Sequence, residues 1–183
     1  MKVTVFQFEG TPEELDASQA LRLLTSRGAV ATDRVATVSS AGVLGQVPGV
    51  PEEGQETVSR LVERGPAPEL FLAFLKETVT WPKVGVHGIK RQKAAADEPL
   101  DYSHYLRLRK QGSQLGGFAY VYAERSSINL RLSYTEQELQ DMDITSARIL
   151  TTGNREYRVS VDLRDQASLD AALHLARIAY DAT

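Results

Sequence analysis

The chain has 183 residues, 42% of them hydrophobic and 25% charged, with a net charge of −3 and no cysteine. That length supports one domain with a substantial core, or one domain plus a small appended unit. The composition excludes disulfides, thiolate metal sites and a cysteine nucleophile, and no apolar run approaches the ~20 residues of a membrane span.

The net charge conceals an uneven distribution. Residues 1–82 carry 7 Lys/Arg and 11 Asp/Glu, residues 83–131 carry 9 and 4, and residues 132–183 carry 5 and 9. A basic middle between acidic ends marks an anion-binding face, or else it is neutralised locally as the elements pack.

The opening, MKVTVFQFEG, turns polar after Phe8 and does not read as a secretory signal, so the expected compartment is the bacterial cytoplasm. Residues 2–8 alternate like a short strand ended by Gly10. Thr11, Pro12 and Glu14 then form a helix start with a capping box, and Gly28 is the stop. Residues 29–51 are rich in small residues, with glycines at 42, 45 and 49 and prolines at 48 and 51. They read either as holding a strand near Val35–Val38 or as a linker with only partial order. The expected organisation is therefore an N-terminal strand–helix unit with its linker over 1–50 and an α+β domain over 51–183.

A second helix is predicted from Glu52 to Arg64, stopped by Gly65, and a third over 69–80 with a wide apolar face from Leu70, Phe71, Phe74, Leu75 and Val79. The Gly65-Pro66-Ala67-Pro68 joint gives this pair the outline of a helix-turn-helix. Its second helix, ELFLAFLKETVTW, is too apolar to read bases in a major groove, so that assignment fails. From Pro82 the period switches to two. Strands are predicted over 84–89, 102–109, 117–124 and 127–132, with a polar loop at 90–100, a glycine-rich turn at 111–117 and a tight turn at Arg125-Ser126. Thr135 and Glu138 make a capping box for a short helix, strands at 147–150 and 155–163 flank a Gly153-Asn154 turn, and Ser168 is the expected cap of a last helix. The fold class that follows is α+β: an antiparallel sheet of four to five strands backed by helices.

The segments YLRLRK, FAYVYAERSSINLRLS and YRVSVDLRDQASLDAALHLARIAYDA resemble a small bacterial α+β domain of unknown function. That family is sometimes labelled a predicted transport protein and sometimes attached to restriction-type proteins. The resemblance covers roughly the last three-fifths of the chain, and TTGNREYRV stands where the family pattern has a His-Trp-Gly-type segment. It implies no catalytic residues, since none is established for the family.

Candidate sites were weighed by chemistry. His87, Asp101 and His104 would approach one another if their two strands paired, as a general base with its carboxylate or as a metal site, but their spacing fits no metal or triad motif. His174 sits at the edge of an apolar stripe and reads as structural. Neither GSQLGG nor GVLGQVPG has the form of a phosphate loop, so these glycines read as turn formers. No nucleophile elbow is present. The acidic pairs Glu13/Glu14 and Glu52/Glu53 sit at helix starts, where the dipole favours negative charge.

What remains is a basic and aromatic set: Lys90, Arg91, Lys93, Tyr105, Arg107, Arg109, Lys110, Tyr120, Tyr122, Arg125 and Arg131. Strand alternation places Tyr105, Arg107 and Arg109 on one side, and Tyr120 with Tyr122 on one side, as a phosphate-binding and base-stacking platform requires. Phe118 shares the parity of the two tyrosines, which equally allows them to line the core. The leading expectation is a non-enzymatic bacterial binding module, for nucleic acid or another anionic ligand, without cofactor or metal. A protein-interaction or homo-oligomerisation domain is the alternative. A small-molecule enzyme using His104 and Asp101 is the third reading.

Overall fold

The computed structural model describes residues 46–90, 95, 98–153 and 155–183. The strand and helix expected over 2–28, most of the linker, and the cations Arg91 and Lys93 lie outside the described residues. The chain divides into units of residues 1–42 and 43–183, and every described residue belongs to the second.

Helix α1, Glu52–Arg64, carries Glu52 and Glu53 in its first turn and Arg64 in its last, so its charges complement the helix dipole; Gly65 follows in extended backbone. Pro66 and Ala67 turn the chain into α2, Pro68–Thr78, where Pro68 occupies a position whose N–H would have no intrahelical partner. Phe71, Phe74 and Leu75 of α2 are fully buried.

A sheet of six strands follows: β1 Val84–His87, β2 Leu106–Lys110, β3 Gly117–Tyr122, β4 Ser127–Leu130, β5 Ala147–Ile149 and β6 Val159–Asp162. The order across the sheet is β1-β2-β3-β4-β6-β5, and every pairing is antiparallel. The α+β class holds, with one strand more than the four to five expected. The three-residue β5, expected over 147–150, closes the edge beyond β6. Between β4 and β5 lies α3, Glu136–Asp141, with the Thr135/Glu138 capping box in place. The last helix, α4, spans Gln166–Asp181.

The cap of α4 differs from expectation. Asp165 is the N-cap and accepts from the Ser168 N–H at 2.8 Å, while the Ser168 hydroxyl closes the box from the third helical position. A carboxylate is favoured at this end of the helix, which is why Asp165 begins it three residues before the serine.

Helix α4 packs across β3, β4, β5 and β6 and against α2, while α1 packs on α2 and on the short 3-10 turn Ala123–Arg125. The helix-facing positions of the strands are Leu106 and Leu108, Phe118, Ala119 and Val121, Ile128 and Leu130, and Val159 and Val161, all at or near zero exposure. Trp81 and Tyr180 close one end of this core around Phe118, with ring centroids 6.1 Å and 5.6 Å from it.

Candidate nucleic-acid interface

In antiparallel strands, residues directly opposite share a face. Following the register from His87 gives one row that crosses all six strands: His87, Arg107, Tyr120, Asn129, Ser160 and Arg148. A neighbouring row holds Tyr122, Ser127 and Asp162. These are the alternate positions to the buried leucines and valines, so they form the sheet face turned away from the helical layer.

Strict alternation would have put Phe118 on the same side as Tyr120. The register shifts between Leu108 and Arg109: Leu108 opposes Ala119, whereas Arg109 opposes Gly117, so Phe118 is the extra residue of a β-bulge. The bulge turns Phe118 into the aromatic corner with Trp81 and Tyr180, and leaves Tyr120 and Tyr122 on the outer face, half-buried. The ambiguity between core and platform is resolved by one inserted residue. Gly117 permits it: a Cβ there would lie 2.6 Å from Arg107 Cγ and 3.0 Å from the Leu108 carbonyl oxygen. The turn before it, with Gly112 and Gly116 at φ of +88° and +83°, has the geometry that glycine adopts freely.

The tyrosines form a cluster. Tyr105 lies 4.7 Å from Tyr120 and 5.4 Å from Tyr122, centroid to centroid. Tyr157, which was not singled out in the sequence, stacks on Tyr120 at 3.8 Å and 15° and donates its hydroxyl to the Gly117 carbonyl at 2.6 Å. One side of Tyr120 is therefore covered by the protein itself, and Tyr105 and Tyr122 carry the outward ring surface. Burial, and then the neighbouring Tyr105 and Tyr120, push the Tyr122 phenol up from its ordinary range, and Tyr157 is driven up further, first by burial. Tyr122 and Tyr157 are therefore neutral through the physiological range.

The predicted cations among the described residues fall into four groups. Arg107 and Arg109 lie on the outer face, and no ion pair joins either to a carboxylate among the described residues. The Arg107 guanidinium lies 5.6 Å from the Tyr120 ring centre, and its buried Nε has no hydrogen-bond partner among the described residues. Arg125, exposed on the 3-10 turn, belongs with them. Arg131 is already engaged: it pairs with Glu156, donates to the Leu115 carbonyl and lies 5.6 Å from the Tyr157 ring. Lys110 is on the other side of the sheet, where its Nζ sits 4.4 Å from the Tyr180 ring centre and 3.4 Å from the Tyr180 carbonyl. Being next to Arg109, it necessarily points the other way, and it serves the end of α4 instead of a ligand. Lys90 is exposed beyond β1.

His87 lies in register with Arg107, and its ring folds back over Gly85. Burial, then Arg109 and Arg107, hold its pKa below the ordinary histidine range. Asp101 bridges to Ile89 instead of to His87, and His104 stands 4.0 Å from Asp101 with its side chain two-thirds exposed. The trio does not assemble, and no group of three or more potential metal ligands exists among the described residues.

The sequence also left out the far side of this face. Arg148 on β5 and Arg164 after β6 both pair with Asp162, Arg148 through both carboxylate oxygens and Arg164 at 3.5 Å. The segment between β5 and β6 rises beside the sheet, so Leu150 and Thr152 face Tyr122 and Asn129 across a cleft. Alternation within Ala147–Ile149 could have located Arg148. Nothing local could have brought it beside Arg125.

No family model, characterised protein or solved structure matches the chain. Among the described residues, no helix is long and apolar enough to cross a membrane.

Proposed function

We propose that this protein is a non-enzymatic bacterial binding module whose outer sheet face takes single-stranded nucleic acid. One observation carries the reading: Tyr105 and Tyr122 present ring surface beside Arg107 and Arg109, two guanidinium groups without carboxylate partners among the described residues, on a six-stranded sheet. Rings on a sheet accept bases of any sequence, and guanidinium forks take phosphates. The buried Nε of Arg107, without a partner among the described residues, is a donor in want of an acceptor, and a phosphate oxygen would supply one.

The test is anisotropy of a labelled mixed-sequence single strand across a salt series. Counterion release gives a log–log slope of about −0.7 per phosphate contacted. The double variant Arg107→Gln/Arg109→Gln should weaken binding and flatten the slope by about 1.4, two contacts' worth, with the melting temperature nearly unchanged. A slope identical to that of the unmodified protein would move the ligand elsewhere. If sizing shows a stable oligomer and no strand binds at low salt, the protein-interaction reading replaces this one.

A further inference from the structure

Beside the tyrosine cluster the outer face deepens into a cleft of about 650 Å³ between the β5–β6 segment and the 3-10 turn. Its charged lining is Arg125, Arg148, Arg164 and Asp162. Three guanidinium groups against one carboxylate leave it cationic. Asp162 does not neutralise the site so much as orient it, since it holds Arg148 with both oxygens and steadies Arg164. A guanidinium has five N–H donors, so each arginine keeps donors to spare, and the two side chains remain 56% and 77% exposed. A second, independent feature points the same way. Ser160, which lines the cleft, is 1% exposed, and its hydroxyl is buried without a hydrogen-bond partner among the described residues.

A smaller compartment of about 210 Å³ adjoins it, lined by Tyr105, Tyr120 and Tyr157 on one side and Gly153 on the other. The two compartments share Tyr122, Asn129, Leu150 and Thr152, so they are neighbouring parts of one depression. A slot with aromatic walls beside a cationic chamber matches a planar base joined to a phosphate. The chamber's surplus of two positive charges matches a phosphomonoester, which carries close to two negative charges at neutral pH, better than an in-chain phosphodiester with one.

We infer that this cleft binds a nucleoside phosphomonoester, supplied either as a free mononucleotide or as the phosphorylated end of a strand. The inference deepens the nucleic-acid reading and rests on it for the strand-end source, while the free-nucleotide source stands alone. The base occupies the tyrosine slot, and the terminal phosphate is held by Arg125, Arg148 and Arg164 over Ser160. The outer-face strand path past Arg107 and Arg109 then leads into this chamber from the β2 side.

The experiment compares three otherwise identical single strands, hydroxyl-ended, 5′-phosphorylated and 3′-phosphorylated, with a nucleoside monophosphate and inorganic phosphate as competitors. At about 0.15 M salt, one phosphorylated strand should bind about ten-fold more tightly than the hydroxyl-ended strand, the scale of added charge-assisted contacts. The exposed change Arg164→Gln, combined with Arg125→Gln, should erase that preference while circular dichroism and melting show the fold intact. Displacement by the nucleoside monophosphate identifies the free nucleotide as sufficient, and its failure to displace identifies strand ends. Equal affinity for all three strands together with no binding of the nucleoside monophosphate overturns the inference, as does inorganic phosphate competing as well as the nucleotide. The sheet-face reading fails separately, by loss of hydroxyl-ended strand binding at every salt concentration, and a nucleotide still bound in that case leaves the cleft assignment standing.

Discussion

The two faces of this sheet are built from the same six strands, one residue out of step, yet they obey different physics. On the helix side, Leu106, Leu108, Val121, Ile128 and Val161 are sealed from water, and each contributes by the apolar area it removes. On the outer side, Arg107, Tyr120, Asn129 and Arg148 stand in register with one another, half-exposed, polar and aromatic. Half-exposed side chains of that kind contribute little to folding and are free to be chosen for what they bind. Stability and recognition are thus separable by residue parity, except where the bulge at Phe118 breaks the parity.

The largest effect should come from the helix side. Phe118→Ala empties the space between Trp81 and Tyr180 and should cost about 3–5 kcal/mol, as large-to-small core changes do. Chemical denaturation measures it. A cost below about 1 kcal/mol would mean that the aromatic corner is loose, and that the contrast between the faces is weaker than the burial of Phe118 implies.

Gly117→Ala tests the bulge itself. The added methyl would meet Arg107 Cγ and the Leu108 carbonyl, and the backbone oxygen has little room to retreat. The expected loss is about 1–3 kcal/mol, the range for overpacked sites. It should come with weaker strand binding, because Arg107 is displaced. If binding falls with no loss of stability, the bulge is a device of the outer face alone. If stability falls with binding intact, it belongs to the core.

Much of this architecture was legible because local chemistry and tertiary structure agree. The capping box at Thr135 and Glu138, the stop at Gly65 and the proline entering α2 each act within a few residues. The α+β class follows from where the period changes. What escaped the sequence was non-local. Strand alternation alone assigned Phe118, Tyr120 and Tyr122 to one side, because a bulge is a register event between two strands and leaves no mark in either one. Lys110 looked like a continuation of the arginine run, but an adjacent position is the opposite face. Arg131 looked available until Glu156, 25 residues away, came beside it. Arg148, Asp162 and Arg164 come together through the β5–β6 pairing and the chain just beyond it, so no motif announced the cleft.

The smallest effect is the most discriminating. Burial, Arg109 and Arg107 all disfavour protonated His87 in the folded chain, so the unfolded chain takes up this proton first as pH falls. Bound protons then favour the unfolded state. Stability contributed by neutral His87 is present above about pH 6.5, the unfolded value, and is lost below it until the folded histidine also titrates. His87→Gln should flatten that part of the pH–stability curve, by an amount reduced by solvent screening at this half-buried site. The same histidine reports on the ligand. A phosphate seated on Arg107 and Arg109 cancels two of the three causes that depress it, so its midpoint, followed by NMR of the imidazole Cε1–H, should rise when strand binds. An unchanged His87 midpoint in the presence of saturating strand would separate the arginines from the ligand, and with them the outer face from the function assigned to it.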